Sequence, residues 1–142
     1  MDDRAQLAII SYLNDLIQSD SAVMSIDLNL QYAVRLLAER STEETSAVLS
    51  DLYDATDSEA IRRDILIVMA RWRNWIWLSD RRAYFRSMRP MERRAYLIAS
   101  YTLRDEGKHW RDHTKDEFSP FEIIVRDWAA SKAGRPNWDV PL

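Results

Sequence analysis

Between residues 60 and 111 the chain carries thirteen bases against five acids, and twelve of those bases are arginine. Ten of them stand out as candidate nucleic-acid contacts: Arg62, Arg63, Arg71, Arg73, Arg81, Arg82, Arg86, Arg89, Arg93 and Arg94, with Trp72, Trp75, Trp77 and Tyr84 set among them. A guanidinium is flat and offers two parallel hydrogen bonds to a phosphate or carboxylate, which a lysine ammonium cannot do. Interleaved rings stack on unpaired bases, so the cluster has the chemistry to hold single-stranded RNA or DNA. The same residues also suit a second role. Arginines pair with carboxylates of their own chain, and the tryptophans fall at spacings that fit core positions.

Other chemistry is sparse. His109 and His113 are four residues apart and would share a helical face, with Asp112 and Asp116 near enough to assist a metal. No cysteine or third histidine completes such a set, so no metal site is expected and the pair reads as solvated. Neither a P-loop, a Gly-x-Gly-x-x-Gly fingerprint nor a Gly-x-Ser-x-Gly elbow is present, which leaves nucleotide and acyl chemistry without a motif and no cofactor implied. Glu43 with Glu44, and Asp105 with Glu106, sit at helix ends where capping or solvation accounts for them. No catalytic residue is assigned.

The elements that must position the arginines are helices. The 142 residues include only two glycines and four prolines, too few for the tight turns of a sandwich or barrel, while 46% hydrophobic and 30% charged residues suit a folded protein. The expected class is all-α, with six to seven amphipathic helices. A first helix from about Arg4 to Gln18 places Ile9, Leu13 and Leu16 on one face, and a second from about Asp27 to Arg40 carries Leu30, Ala33, Val34 and Leu37. Ser41 and Glu44 form a capping-box pattern before a third helix with Val48, Leu49, Leu52 and Tyr53 inward. Asp57 is the expected cap of a fourth, with the stripe Ile61, Ile65, Val68, Trp72. The apolar run Ile65 to Ala70 marks it as the centre of the fold.

This fourth helix either continues through Trp77 or breaks near Asn74 before a short helix capped by Ser79 or Asp80. Pro90 opens a helix through about Arg104. Ser119, Pro120 and Glu122 start a last one, with Phe121, Ile124, Val125 and Trp128 as its stripe and Gly134 and Pro136 as its stop.

Residues 1–134 read as a single helical domain with a tail over 135–142, and charge divides that domain. Residues 1–56 hold ten acids and three arginines, whereas the rest of the chain is basic, so an acidic first part precedes a basic second part over 57–134. Exposed carboxylates such as Asp15, Asp20, Asp27, Glu43, Glu44, Asp51 and Asp54 would suit a basic protein partner. Residues 62–67 (Arg-Arg-Asp-Ile-Leu-Ile) resemble residues 93–98 (Arg-Arg-Ala-Tyr-Leu-Ile), a spacing near that of a helix-pair repeat. The repeat implies HEAT-like stacked hairpins. No apolar run reaches the length of a membrane span, and Met1-Asp2-Asp3 lacks the basic start of a secretory signal; with no cysteine, a cytoplasmic location without membrane contact is expected.

The stretch Met88-Arg89-Pro90-Met91-Glu92-Arg93-Arg94-Ala95-Tyr96-Leu97-Ile98-Ala99-Ser100-Tyr101, with Asp105-Glu106-Gly107-Lys108-His109-Trp110-Arg111, Phe121-Glu122 and Asp127-Trp128-Ala129, resembles the helical C-terminal region of bacterial retron-like and phage-defence reverse transcriptases. The likeness spans residues 60–132. It implies a non-catalytic appendage that holds nucleic acid or packs on a protein partner such as a polymerase core. The Tyr-x-Asp-Asp signature of the polymerase is absent, Tyr53-Asp54-Ala55-Thr56 being no substitute. Separately, Arg104 and His109 are similar to the Arg-x4-His pattern of HEPN ribonucleases, with Gly107 inside the motif as a departure. That likeness implies an alternative in which the two side chains cleave RNA.

Overall fold

The computed structural model describes residues 2–19, 28–100, 120, 122–124 and 127. Over these the protein is all-α, with no strand. Six α-helices follow in order: α1 (Asp3–Gln18), α2 (Leu28–Leu37), α3 (Glu43–Ala55), α4 (Glu59–Arg71), α5 (Trp75–Arg81) and α6 (Pro90–Ser100), with a 3-10 helix (Arg82–Ser87) between the last two. Residues 120, 122–124 and 127 are helical as well.

The apolar run predicted for the centre is there. Every residue of α4 from Asp64 to Ala70 is buried, and the helix packs against α2, α3, α5 and α6, with α6 its most extensive neighbour. Leu13, Leu30, Val34, Leu37, Leu49, Leu52, Ile65, Leu66, Tyr96 and Leu97 complete one continuous core around it. Each large aliphatic side chain buried there stabilises the fold by about 1.5–3 kcal/mol relative to exposure.

The helix starts differ from the expected ones by a residue. In α3 the box is made by Thr42 and Thr45 instead of Ser41 and Glu44: the Thr45 amide donates to Thr42 Oγ1 at 3.1 Å and the Thr42 amide to Thr45 Oγ1 at 2.8 Å. Thr45 is wholly buried, and its hydroxyl and the Gln6 amide both reach the Arg40 carbonyl, each at 3.4 Å, which fixes the start of α3 against α1. In α4 the cap is Ser58, not Asp57; Ser58 Oγ accepts from the Ile61 amide, while the Asp57 carbonyl accepts from Arg89. Helix α2 stops at Leu37, short of Arg40, because residues 38–40 tighten into a turn and Arg40 turns back to pair with Asp3.

Of the two possibilities after Trp72, the break is the one realised. The Asn74 amide donates to the Met69 carbonyl and the Arg73 amide to the Ala70 carbonyl, both at 3.0 Å, and Arg73 has φ 56°. This is a Schellman stop with an arginine where glycine is usual. Asn74 then begins α5, and Ser79 and Asp80, the expected caps, lie inside that helix. The expected continuation of α6 to Arg104, and Ser119, Phe121, Val125, Trp128, Gly134 and Pro136 of the last helix, lie outside the described residues. Ile124, expected inward, is 64% exposed, and Glu122 is buried in its stead for the reason given below.

A side chain with a Cβ in the left-handed region costs about 1–2 kcal/mol. Replacing Arg73 with glycine should raise stability by about 1 kcal/mol, read as a higher urea midpoint at unchanged slope. A lower midpoint would contradict the turn.

Candidate nucleic-acid interface

The arginines separate into those that close the fold and those that face outward. Arg62 is the fourth residue of α4 and Arg93 the fourth of α6, and the two build the same arrangement. Arg62 Nε donates to Glu92 Oε1 at 2.8 Å, Nη1 donates to the Tyr53 carbonyl at 2.9 Å, and the guanidinium lies over the Tyr53 ring at 4.0 Å. Arg93 Nε donates to Glu122 Oε2 at 2.6 Å, Nη1 to the Phe85 carbonyl at 3.5 Å, and its guanidinium lies over the Phe85 ring at 4.2 Å. In each clasp an arginine joins the aromatic residue of the preceding segment to a glutamate about thirty residues further along the chain. Both glutamates follow a Pro-x step, Pro90-Met91-Glu92 and Pro120-Phe121-Glu122.

The clasps differ by one hydroxyl. Tyr53 donates to Glu92 Oε2 at 2.6 Å, which occupies the carboxylate oxygen that Arg62 leaves open. Phe85 has no such donor, and there Arg93 supplies a second bond itself, from Nη2 to Glu122 Oε1 at 3.2 Å. Burial first, and then the Glu92 carboxylate, push the Tyr53 phenol well above its ordinary value. Tyr53 is therefore a neutral donor throughout the physiological range. Burial by itself lowers the Arg62 guanidinium, and the bond to Glu92 with the nearby Tyr53 and Glu92 outweighs it, so Arg62 stays charged.

Arg63 also faces inward, donating from Nε to Asp64 Oδ1 at 3.0 Å and from Nη1 to Met91 Sδ at 3.2 Å. Asp64 is wholly buried, and Arg35 of α2 reaches its other oxygen at 3.5 Å. Arg89 is exposed at the start of α6 and holds the Asp57 carbonyl. Arg71 and Arg73 are exposed at the far end of α4, roughly 14 Å from Arg62 by helical rise. Arg82 and Arg86 are exposed on the 3-10 helix, and Arg94 is half-buried on α6.

The rings divide in the same way. Trp72 Nε1 donates to the Ala38 carbonyl at 3.2 Å, and Trp77 Nε1 donates to Ser50 Oγ at 2.9 Å while meeting the Tyr53 ring edge-on. Tyr84 faces water, at 61% exposure.

Beside the first clasp lies a cleft of about 390 Å³ lined by Tyr53, Asp54, Arg62, Arg81, Tyr84, Ser87 and Met88. Arg81 enters it from the end of α5, stacked at 4.3 Å on Trp77, with Asp54 at 3.6 Å. Among the described residues no group of acids and histidines could hold a metal ion, and no helix is long and apolar enough to cross a membrane. Arg104, His109 and His113 lie outside the described residues, as do Asp20 and Asp27. Asp15, Glu43, Glu44, Asp51 and Asp54 are exposed as the acidic first part implied.

The sequence reading took Tyr53 for a core residue and Glu122 for a helix-start acid, and it gave Glu92, Ser87 and Met88 no role. Two Pro-x-Glu steps about thirty residues beyond the paired Arg62 and Arg93 are the signal that would have found the clasps. Compared with known proteins, the chain matches no protein-family model, and no curated protein or solved structure is significantly similar to it.

Removing one partner of a pair this deep leaves the other charge uncompensated. Arg62→Ala and Arg93→Ala should each cost about 3 kcal/mol in chemical denaturation, while Arg82→Ala stays within about 0.5 kcal/mol. Equal, small effects at all three sites would remove the distinction.

Because the native Tyr53 phenol lies above its unfolded value of 10.0, the unfolded chain releases that proton first. The stability it contributes is complete below about pH 10 and declines as pH rises further. Tyr53→Phe should cost about 1 kcal/mol at neutral pH and show a shallower alkaline decline than the parent, measured by urea midpoints across that range. A parallel decline in both proteins would contradict the assignment.

Proposed function

We propose that the chain is a non-catalytic helical accessory domain that contacts single-stranded nucleic acid along the edge formed by α5 and the 3-10 helix. Its hairpins stack in the HEAT-like manner, and the setting its resemblance implies is the core of a bacterial reverse transcriptase. The observation that carries this reading is the exposure of Arg82, Tyr84, Arg86 and Arg89 within eight consecutive residues, next to a cleft that two further arginines line. Cations there meet phosphates, and the Tyr84 ring stacks on a base, the combination used for strands without strong sequence preference. Arg63 and Arg93 are committed to the fold and drop out of the contact set, and Arg62 keeps only the edge that borders the cleft. The exposed carboxylates of α1 and α3 repel a strand and leave that side to a protein partner.

The test is anisotropy of labelled single-stranded RNA and DNA at low and high salt, with the strand checked for cleavage in the same samples. If four phosphates are neutralised, affinity falls about 50-fold between about 50 and about 200 mM salt. The variant Arg82→Glu with Arg86→Glu should abolish binding while the chain stays folded. Binding indifferent to salt or to that charge reversal overturns the interface, and cleavage overturns the non-catalytic assignment.

A further inference from the structure

Arg81 has four-fifths of its side chain out of water, 16% remaining exposed, yet it makes no hydrogen bond among the described residues. Its nearest acid, Asp54, stands at 3.6 Å, beyond hydrogen-bond range, and is itself two-thirds exposed. Stacking on Trp77 at 4.3 Å and on the Tyr53 ring at 5.5 Å holds the guanidinium in place without using its N–H groups. Arg62 is in a similar position on one side. Its Nε and Nη1 are taken by Glu92 and the carbonyls of Tyr53 and Thr56, and Nη2 has no hydrogen bond among the described residues.

Both guanidinia line the same cleft, whose volume of about 390 Å³ falls in the range of small-ligand sites. Tyr84, largely exposed, also lines it, and Ser87, whose hydroxyl donates to the Tyr84 carbonyl at 2.8 Å, adds a polar wall. Positioned but unspent arginine donors are what a phosphate needs, since planar N–H pairs meet its oxygens with charge-assisted bonds. Glu92 already holds the Nε of Arg62, which leaves Nη2 as the donor on that side. Asp54, exposed and loosely placed, competes for Arg81, and a ligand phosphate would displace it.

We propose that this cleft is a subsite for one nucleotide, with the phosphate on Arg81 and the outer edge of Arg62 and the base on the ring of Tyr84. The inference rests on the strand-binding reading above and gives it a defined pocket. A nucleotide within a strand and a free mononucleotide share the chemistry, and the experiment separates them.

Calorimetric titration of the full chain with uridine 5′-monophosphate and adenosine 5′-monophosphate, with uridine and inorganic phosphate as controls, is run beside the oligonucleotide titration. The mononucleotides should bind, and Arg81→Gln or Tyr84→Ala should each weaken them about tenfold, as loss of one charge-assisted bond or one stacked base does. Asp54→Asn should tighten them. Tyr84 and Asp54 are exposed, so those two variants read the site even if Arg81→Gln unfolds. If oligonucleotides bind and mononucleotides do not, the subsite is overturned and the outer edge stands. If mononucleotides bind and oligonucleotides do not, the subsite stands as a free-nucleotide pocket and the strand reading falls. Inorganic phosphate binding as tightly as the nucleotides, or affinity untouched by the Arg81, Tyr84 and Asp54 variants, overturns the assignment, and no binding of any probe overturns both.

Discussion

A carboxylate taken almost wholly out of water has to be met by a cation and by further donors, and at 3% exposure Glu92 is met by both. Arg62 supplies the charge and Tyr53 supplies a neutral O–H, so the three residues tie the end of α3, the start of α4 and the start of α6 at one point. The rest of the basic half is arranged around that requirement. The central helix cannot rotate to offer Arg62 to solvent without stranding Glu92, and α6 cannot slide without separating the glutamate from both partners. Repetition of the device by Arg93, Phe85 and Glu122 carries the same constraint one helix further along the chain.

This constraint explains how a chain so rich in arginine can use only part of it for contacts. Guanidinia at the starts of α4 and α6 are consumed by buried acids of the same basic half, and the acidic first part contributes mainly exposed carboxylates. The segment between the clasps, α5 and the 3-10 helix, has a different character. Leu78 and Phe85 are buried in it, while Arg82 and Arg86 are exposed on either side of Tyr84. Two clasps therefore hold a polar segment between them, and the cleft is the space left beside the first clasp where α5 turns into the 3-10 helix.

Much of the fold was legible in the sequence because burial and helical period coincide there. Leu13, Val34, Leu49, Leu52, Ile61 and the run from Ile65 to Ala70 occupy the core as their spacing requires. Start positions were less legible, since Ser41, Thr42, Asp57 and Ser58 are all competent caps and the choice among neighbours is made by tertiary contacts such as those of Thr45 and Arg89. The 3-10 helix carries no 3.6-residue stripe and left no periodic mark. The ten candidate arginines were visible as a group, but their division was not. Arg62 and Arg82 look alike in composition, and only the partner thirty residues away sends one inward. Within the similar stretches 62–67 and 93–98, Arg62 and Arg93 each hold a glutamate, and Leu66 and Leu97 are each buried.

A double-mutant cycle on Arg62→Ala and Glu92→Ala, followed by urea unfolding, measures the interaction on which this account turns. A coupling of about 2 kcal/mol or more is predicted, as for partners in one desolvated network. A coupling below about 0.5 kcal/mol, the value of an exposed ion pair, would contradict it.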